Sequence, residues 1–223
     1  GFNDYRGGGH FSGRLTAPLV FAGAVAKQAL AQYGIVVGSH ILQINDIKEE
    51  RFNPMGVSDK ALTALHAKKF AVMGGVIEAI ALHLPAGIGA PYFDSVESML
   101  SHALFSVPAV KGVEFGDGFG FAGLTGAEAN DALHYVDGKV QALTNHNGGI
   151  TNGMPLVVRV AIKPTPSIAR EQQTVSLKEQ ADTTLAIVGR HDPCIVQRAV
   201  PVIEAVVAWT LWDLLLEAKK WEK

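Results

Sequence analysis

Cysteine is almost missing: Cys194 is the only one in 223 residues, so no disulfide can form within the chain. That scarcity fits a reducing compartment, and a cytoplasmic location is expected. Charge is sparse as well, at 18% of residues with a formal net of −2, so nothing attracts nucleic acid non-specifically. An anionic ligand would have to be held by locally gathered Arg and Lys. Long uncharged apolar runs are lacking too. The nearest, over 200–216, is broken by Glu204 and Asp213, which points to a packed helix and to no membrane partner. No two histidines have the close spacing of a zinc motif and Cys194 has no cysteine partner, so no metal is expected. A hydrolase triad around Ser12 lacks the strand–turn–helix elbow that a nucleophilic serine needs. The chain also opens without an initiator Met or a signal peptide, at Gly1-Phe2-Asn3-Asp4-Tyr5, almost inside a motif. Further residues upstream are expected.

What is present is a mixture of helical and strand patterns. Residues 14–33 read as an Ala-rich helix with Pro18 in its first turns and Gly34 as its stop. Residues 35–44 read as a strand partly covered on both faces. A second helix is expected over 58–72, a buried strand over 76–84 with Glu78 and His83 embedded, and a turn-rich loop over 85–91. Then come a helix over 95–105, a strand over 109–115 and a weakly patterned stretch over 120–140 with a short helix at 127–133. A polar Gly/Asn-rich loop at 144–153 precedes a clear strand at 156–162. The segment to 188 carries no decisive pattern, and a last helix runs over 193–220 with a kink near Pro201. Helices and strands alternate without a regular βαβ rhythm, so the fold class is α+β. With no repeat and no linker, residues 1–223 read as a single domain.

Reactive polarity gathers in five loops, at 6–14, 108–118, 144–153, 163–167 and 189–192. In Tyr5-Arg6-Gly7-Gly8-Gly9-His10-Phe11-Ser12-Gly13-Arg14, Gly-rich backbone runs into a helix start, where free N–H groups and the macrodipole favour anions. It follows neither the Walker pattern nor the dinucleotide fingerprint, so a plain tight turn remains a reading of equal standing. Lys163-Pro164-Thr165-Pro166-Ser167 sits just past a strand end, a usual place for ligands in layered proteins. Its lysine and two hydroxyls on proline-stiffened backbone suit a phosphate; a rim turn with a solvated Lys is the plainer alternative. Gly189-Arg190-His191-Asp192-Pro193-Cys194 places three proton-handling groups side by side ahead of the last helix. Asp192 reads either as that helix's N-cap, with Pro193 at the first position, or as an acid–base group. His40, His66, His83, His102 and His134 lie in or beside expected elements and read as structural. The residues alone describe an enzyme-like domain with an anion-binding, base-equipped pocket.

Five motifs, in order, carry a resemblance. They are Asp4-Tyr5-Arg6-Gly7-Gly8-Gly9, Ala109-Val110-Lys111-Gly112-Val113-Glu114-Phe115-Gly116-Asp117-Gly118-Phe119, Asn145-His146-Asn147-Gly148-Gly149-Ile150, Lys163-Pro164-Thr165, and Gly189-Arg190-His191-Asp192-Pro193-Cys194. Together they resemble chorismate synthases across nearly the whole chain. The resemblance implies a β-α-β sandwich around a helical core, incomplete at the amino terminus, assembled as a homotetramer. It implies a lyase that removes phosphate from 5-enolpyruvylshikimate 3-phosphate by trans-1,4 elimination to give chorismate, with reduced FMN bound although there is no net redox change. The family's amino-terminal Gly-Glu-Ser-His-Gly setting is absent, and so is the acid–base histidine upstream of the Asp-Tyr-Arg motif. His10 follows that motif and does not replace it. A non-catalytic FMN-binding or assembly fragment is therefore the competing expectation.

By the same resemblance His10, Phe11 and Ser12 contact the flavin, with Ser12 also in the catalytic group. Pro108 and Ala109 form a second flavin contact, Pro108 through its backbone, since relatives carry Asn there. Asn152 matches a flavin-contacting glycine. Lys163, Pro164, Thr165, Pro166 and Ser167 match the segment that grips the flavin, with Arg190 as companion. Arg14 and Arg190 are implied to bind the substrate's anionic groups, and Asp192 to manage a proton at the flavin's reactive nitrogen.

Overall fold

The computed structural model describes residues 9, 12–49, 73–142, 149–189, 192 and 194–219. Among these, nine strands follow in chain order: β1 (Val36–Ile44), β2 (Ile47–Lys48), β3 (Gly75–Leu82), β4 (Val110–Phe115), β5 (His134–Val136), β6 (Lys139–Gln141), β7 (Leu156–Ile162), β8 (Gln172–Ser176) and β9 (Ala181–Leu185). The α-helices are α1 (Ala17–Ala31), α2 (Val96–Phe105) and α3 (Val196–Lys219). Five strands make one sheet in the order β2-β1-β3-β7-β4, every neighbouring pair antiparallel. The α+β class holds. The helix expected over 58–72 lies outside the described residues.

The helices cover one face of this sheet. Ser39 Oγ donates to Glu204 of α3 at 2.8 Å, which puts Val37, Ser39 and Ile41 on the helix side and His40 on the other. α3 is buried nearly all round, including the consecutive run Ala205 to Ala208, as befits a helix between a sheet and other helices. By length and hydropathy α3 could cross a membrane, yet here Ile203, Val206 and Leu211 are fully buried in the core. It is a core helix. α1 is apolar apart from Lys27 and Gln28 but buries only Gly23, Ala26 and Leu30, leaving Phe21 and Val25 exposed.

Local signals explain the boundaries. Gly13–Thr16 forms a 3-10 turn capped by Ser12, and α1 then starts with Pro18 at its beginning, where no N–H is needed. Gly34 at φ +74 takes the left-handed conformation that closes it. Ser95 caps α2 by accepting from Ser98 N at 3.1 Å. Gly23 marks the closest approach of two helices: a Cβ there would overlap both backbone and side chain of Ala205 in α3. Gly23→Ala is thus expected to destabilise the protein by about 1–3 kcal/mol, the usual cost of overpacking, despite alanine's better helix propensity. Urea unfolding measures it, and an unchanged or raised midpoint would refute so tight a crossing.

Three expectations need correction. The last helix begins at Val196, not at 193, so Asp192 does not cap it. Instead the backbone N–H groups of Val196 and Gln197 point at the sulfur of Cys194; burial pushes that thiol's pKa up, and those two contacts offset the rise in part. The short helix at 127–133 does not form. Thr125 and Glu128 exchange capping-box bonds, which hold the Glu128 carboxyl below its ordinary value. Asn130 and Asp131 follow at once, and the chain leaves after a single turn. A hairpin of β5 and β6 comes next, turned by Asp137 at φ 52 and Gly138 at φ 77. Finally, the segment before 188 contains a regular hairpin of β8 and β9.

Candidate active site

One end of the sheet collects the sequence motifs. There β1 ends, β3 and β4 begin and β7 ends, with Ile44 paired to Gly75, Gly75 to Ile162 and Ile162 to Val110. The chain beyond β7 is tied to the chain before β4 by Lys163 N donating to Ala109 O at 2.9 Å. Ala109 holds φ +75, a conformation that costs a non-glycine residue energy and is kept where the surroundings impose it. Pro108 and Ala109 are half-buried, whereas Lys163 is exposed and Thr165 and Ser167 stand half-exposed past the strand end. Gly74 leaves room for this segment: a Cβ there would meet Ile162 O at 2.5 Å and Pro164 Cδ at 3.0 Å.

α3 starts at the same end. Cys194 bridges to Met73, next to Gly74, and a Cβ on Gly75 would come within 3.2 Å of Val196 Cγ2. Asp192, just ahead, pairs its Oδ2 with Arg198 Nη1 at 2.7 Å. α1 runs in the same direction as α3, since Lys27 pairs with Glu204 while Tyr33 meets Trp212 and carries Lys219 over its ring. The 3-10 turn before α1, with Ser12 and Arg14, therefore stands at the end where α3 begins. Ser12 Oγ accepts from Arg14 N at 3.3 Å, which leaves its hydroxyl hydrogen for another acceptor.

Ser12, Arg14, Pro108, Ala109, Asp192 and the 163–167 segment thus share one end of the molecule. Asn152 does not join them. It precedes β7 at the opposite end, roughly 20 Å away at ~3.3 Å per strand residue. His10, Phe11 and Arg190 lie outside the described residues. The donor set at the shared end fits a flavin mononucleotide. Lys163 with the Thr165 and Ser167 hydroxyls suits a phosphate ester, and prolines on both sides of Thr165 stiffen that backbone.

Mid-sheet, a line of charges crosses four strands on the face away from the helices. His40 Nε2 lies 3.0 Å from Glu78 Oε1, and Glu78 Oε2 accepts from Arg159 Nη1 at 3.3 Å. Arg159 Nε reaches Glu114 Oε1 at 2.5 Å, and its Nη2 donates to Gly116 O. His40, Glu78 and Arg159 are buried. Sequence reading placed His40 and Glu78 in strands but missed the connection, because register is invisible before pairing. It also missed the β5–β6 hairpin. The signal for it was Asp137-Gly138, a hairpin dipeptide within a stretch read as weakly patterned.

A sheet backed by a buried helix, with a cation- and base-bearing loop cluster at one end, defines an α+β small-molecule site. Residues 1–216 match the family model described as Chorismate synthase, and the chain belongs to that family. It is 47% identical to the chorismate synthase of Thermococcus gammatolerans and 46% identical to that of Thermococcus kodakarensis, in each case over 100% of this chain and 68% of the relative. The chorismate synthase of Korarchaeum cryptofilum is 42% identical over 99% of this chain and 67% of the relative. A solved structure described as a crystal structure of chorismate synthase aligns with TM-score 0.71 and 28% identity, over 92% of this chain and 64% of that one. The chain therefore spans about two thirds of the length of the proteins it matches.

Proposed function

We propose that this chain supplies the flavin-holding and proton-handling part of a chorismate synthase. The reaction is loss of phosphate from 5-enolpyruvylshikimate 3-phosphate to give chorismate. The observation that carries this reading is the convergence of three separate family motifs, around Ala109, Lys163 and Asp192, on one end of the sheet of a family member. Reduced FMN, when bound, would supply electron density that eases departure of the phosphate, while a ring proton is removed by a base. Lys163, Thr165 and Ser167 hold its phosphate ester, and Ala109 presents turned backbone to it. Arg14 binds an anionic group of the substrate, for which a guanidinium fork is suited. Arg198 fixes Oδ2 of Asp192, so Oδ1 is the atom that exchanges a proton. A cytoplasmic homotetramer completes the reading, and light scattering of the purified protein tests the assembly.

The decisive test incubates the protein with 5-enolpyruvylshikimate 3-phosphate and chemically reduced FMN without oxygen. Phosphate release is expected; a folded protein that binds FMN and releases none would be the binding-only alternative. Lys163→Ala separates the roles. Losing a charge-assisted bond of about 1.5–3 kcal/mol should raise the Kd for FMN roughly ten- to hundredfold. Turnover at saturating FMN should change far less. An unchanged Kd in a flavin titration would remove Lys163 from the site.

A further inference from the structure

At the opposite end of the sheet, a cavity of about 460 Å³ lies between the end of β3, the β5–β6 hairpin and the approach to β7. Its volume falls in the range of small-molecule sites, about 300–1,000 Å³. Leu82 forms an apolar part of the wall, and His83, Lys139, Gln141, Asn152 and Gly153 contribute to the rest. No carboxylate among the described residues lines it. Among the described residues neither Lys139 nor His83 belongs to an ion pair.

The geometry is built rather than accidental. Lys139 and Gln141 alternate on β6, so both side chains leave the same face of the hairpin. The Asp137-Gly138 turn sets that hairpin's twist and register. His83 holds φ +62 directly after β3, a left-handed conformation that costs a non-glycine residue energy and clusters at functional positions. Whatever its tautomer, its ring offers at least one N–H donor. Gly153 at φ +90 leaves open space beside its backbone, its nearest neighbour for a Cβ being Leu84 O at 4.0 Å. A ligand could approach the main chain there.

We infer that this cavity is a second ligand site, distinct from the flavin segments, for a small organic anion. Lys139 supplies the charge, His83 and Gln141 supply directed donors, and Leu82 takes a short carbon skeleton. Both a carboxylate and a phosphate monoester share this chemistry. The inference stands independently of the proposed activity.

Two probes separate the sources. The full chain, labelled with nitrogen-15, is titrated with inorganic phosphate and, separately, with succinate while amide shifts are followed. Saturable shifts at His83, Lys139, Gln141 and Gly153 are expected with at least one probe, and the tighter probe identifies the anion. Lys139→Gln should then raise that Kd roughly tenfold or more, as loss of one charge-assisted bond implies. Any phosphate-induced shifts at residues 163–167 should stay as in the parent protein. Lys139 is exposed on a hairpin, so the variant should fold, and a parent-like amide spectrum confirms it. Shifts confined to 163–167, no saturation with either anion, or an unchanged Kd in Lys139→Gln would each overturn the inference.

Discussion

Replacing Asp192 by Asn is expected to lower turnover by roughly two to four orders of magnitude, the usual contribution of a positioned acid–base group. Asn keeps the shape and can still hydrogen-bond Arg198, but it has no basicity at Oδ1. Stability should hardly move. The pair with Arg198 is well exposed, and such pairs contribute about 0–1 kcal/mol. Nor is a helix cap lost, because α3 begins at Val196 and the N–H groups beside Cys194 face its sulfur. Flavin affinity should stay close to that of the parent, in contrast with Lys163→Ala. Steady-state kinetics at saturating FMN, together with a thermal melt, check the three statements at once. Near-normal turnover would leave Asp192 as the partner of Arg198 and nothing more.

Arg159→Ala should cost about 3–5 kcal/mol of folding stability, the penalty for breaking a buried ion pair. Glu78 has no exposed surface, and without the guanidinium its buried carboxylate would lose the bond from Arg159 Nη1. Glu114 is less affected, since it keeps partial exposure and a bond from Phe119 N at 3.3 Å. Replacing Glu78 and Arg159 together by Leu and Met should recover much of the loss, because apolar pairs of similar volume often match buried ion pairs. Lys111→Ala, on the same strand as Glu114 but exposed, serves as control and should stay within about 0.5 kcal/mol. Urea unfolding gives all three values. An Arg159→Ala protein as stable as the Lys111→Ala control would mean that water reaches Glu78.

Much of the fold was legible in the residues, and the reasons are local. The helix expected over 95–105 and the Gly34 stop placed α2 and the end of α1 closely, and the apolar run Leu156–Ile162, rich in β-branched residues, announced β7. The failures came where local signals competed. A short helix was expected over 127–133, but Thr125 and Glu128 close a single turn that Asn130 and Asp131 do not continue. Pro193 behind Asp192 looked like a helix entry, whereas the chain first makes a bridge from Cys194 to Met73. The segments around Ala109 and Lys163 were singled out by motif, yet only the folded chain shows that the two touch. Strand pairing sends Asn152 to the other end. The charges across the sheet were the least legible, because no residue pattern states which strands adjoin.

That line of charges has a consequence for how the sheet finds its alignment. β3 and β7 are apolar on both faces, so hydrophobic alternation alone does not fix their relative position. A slip of one residue would turn Arg159 toward the helices. A slip of two would preserve the faces, but Arg159 would then stand opposite Val76 or Ile80 instead of Glu78. Every such misalignment parts the Glu78 carboxylate from the Arg159 guanidinium, so each loses one buried partner. The buried ions therefore act as a key cut for one alignment, and what they contribute is uniqueness of the native sheet rather than strength.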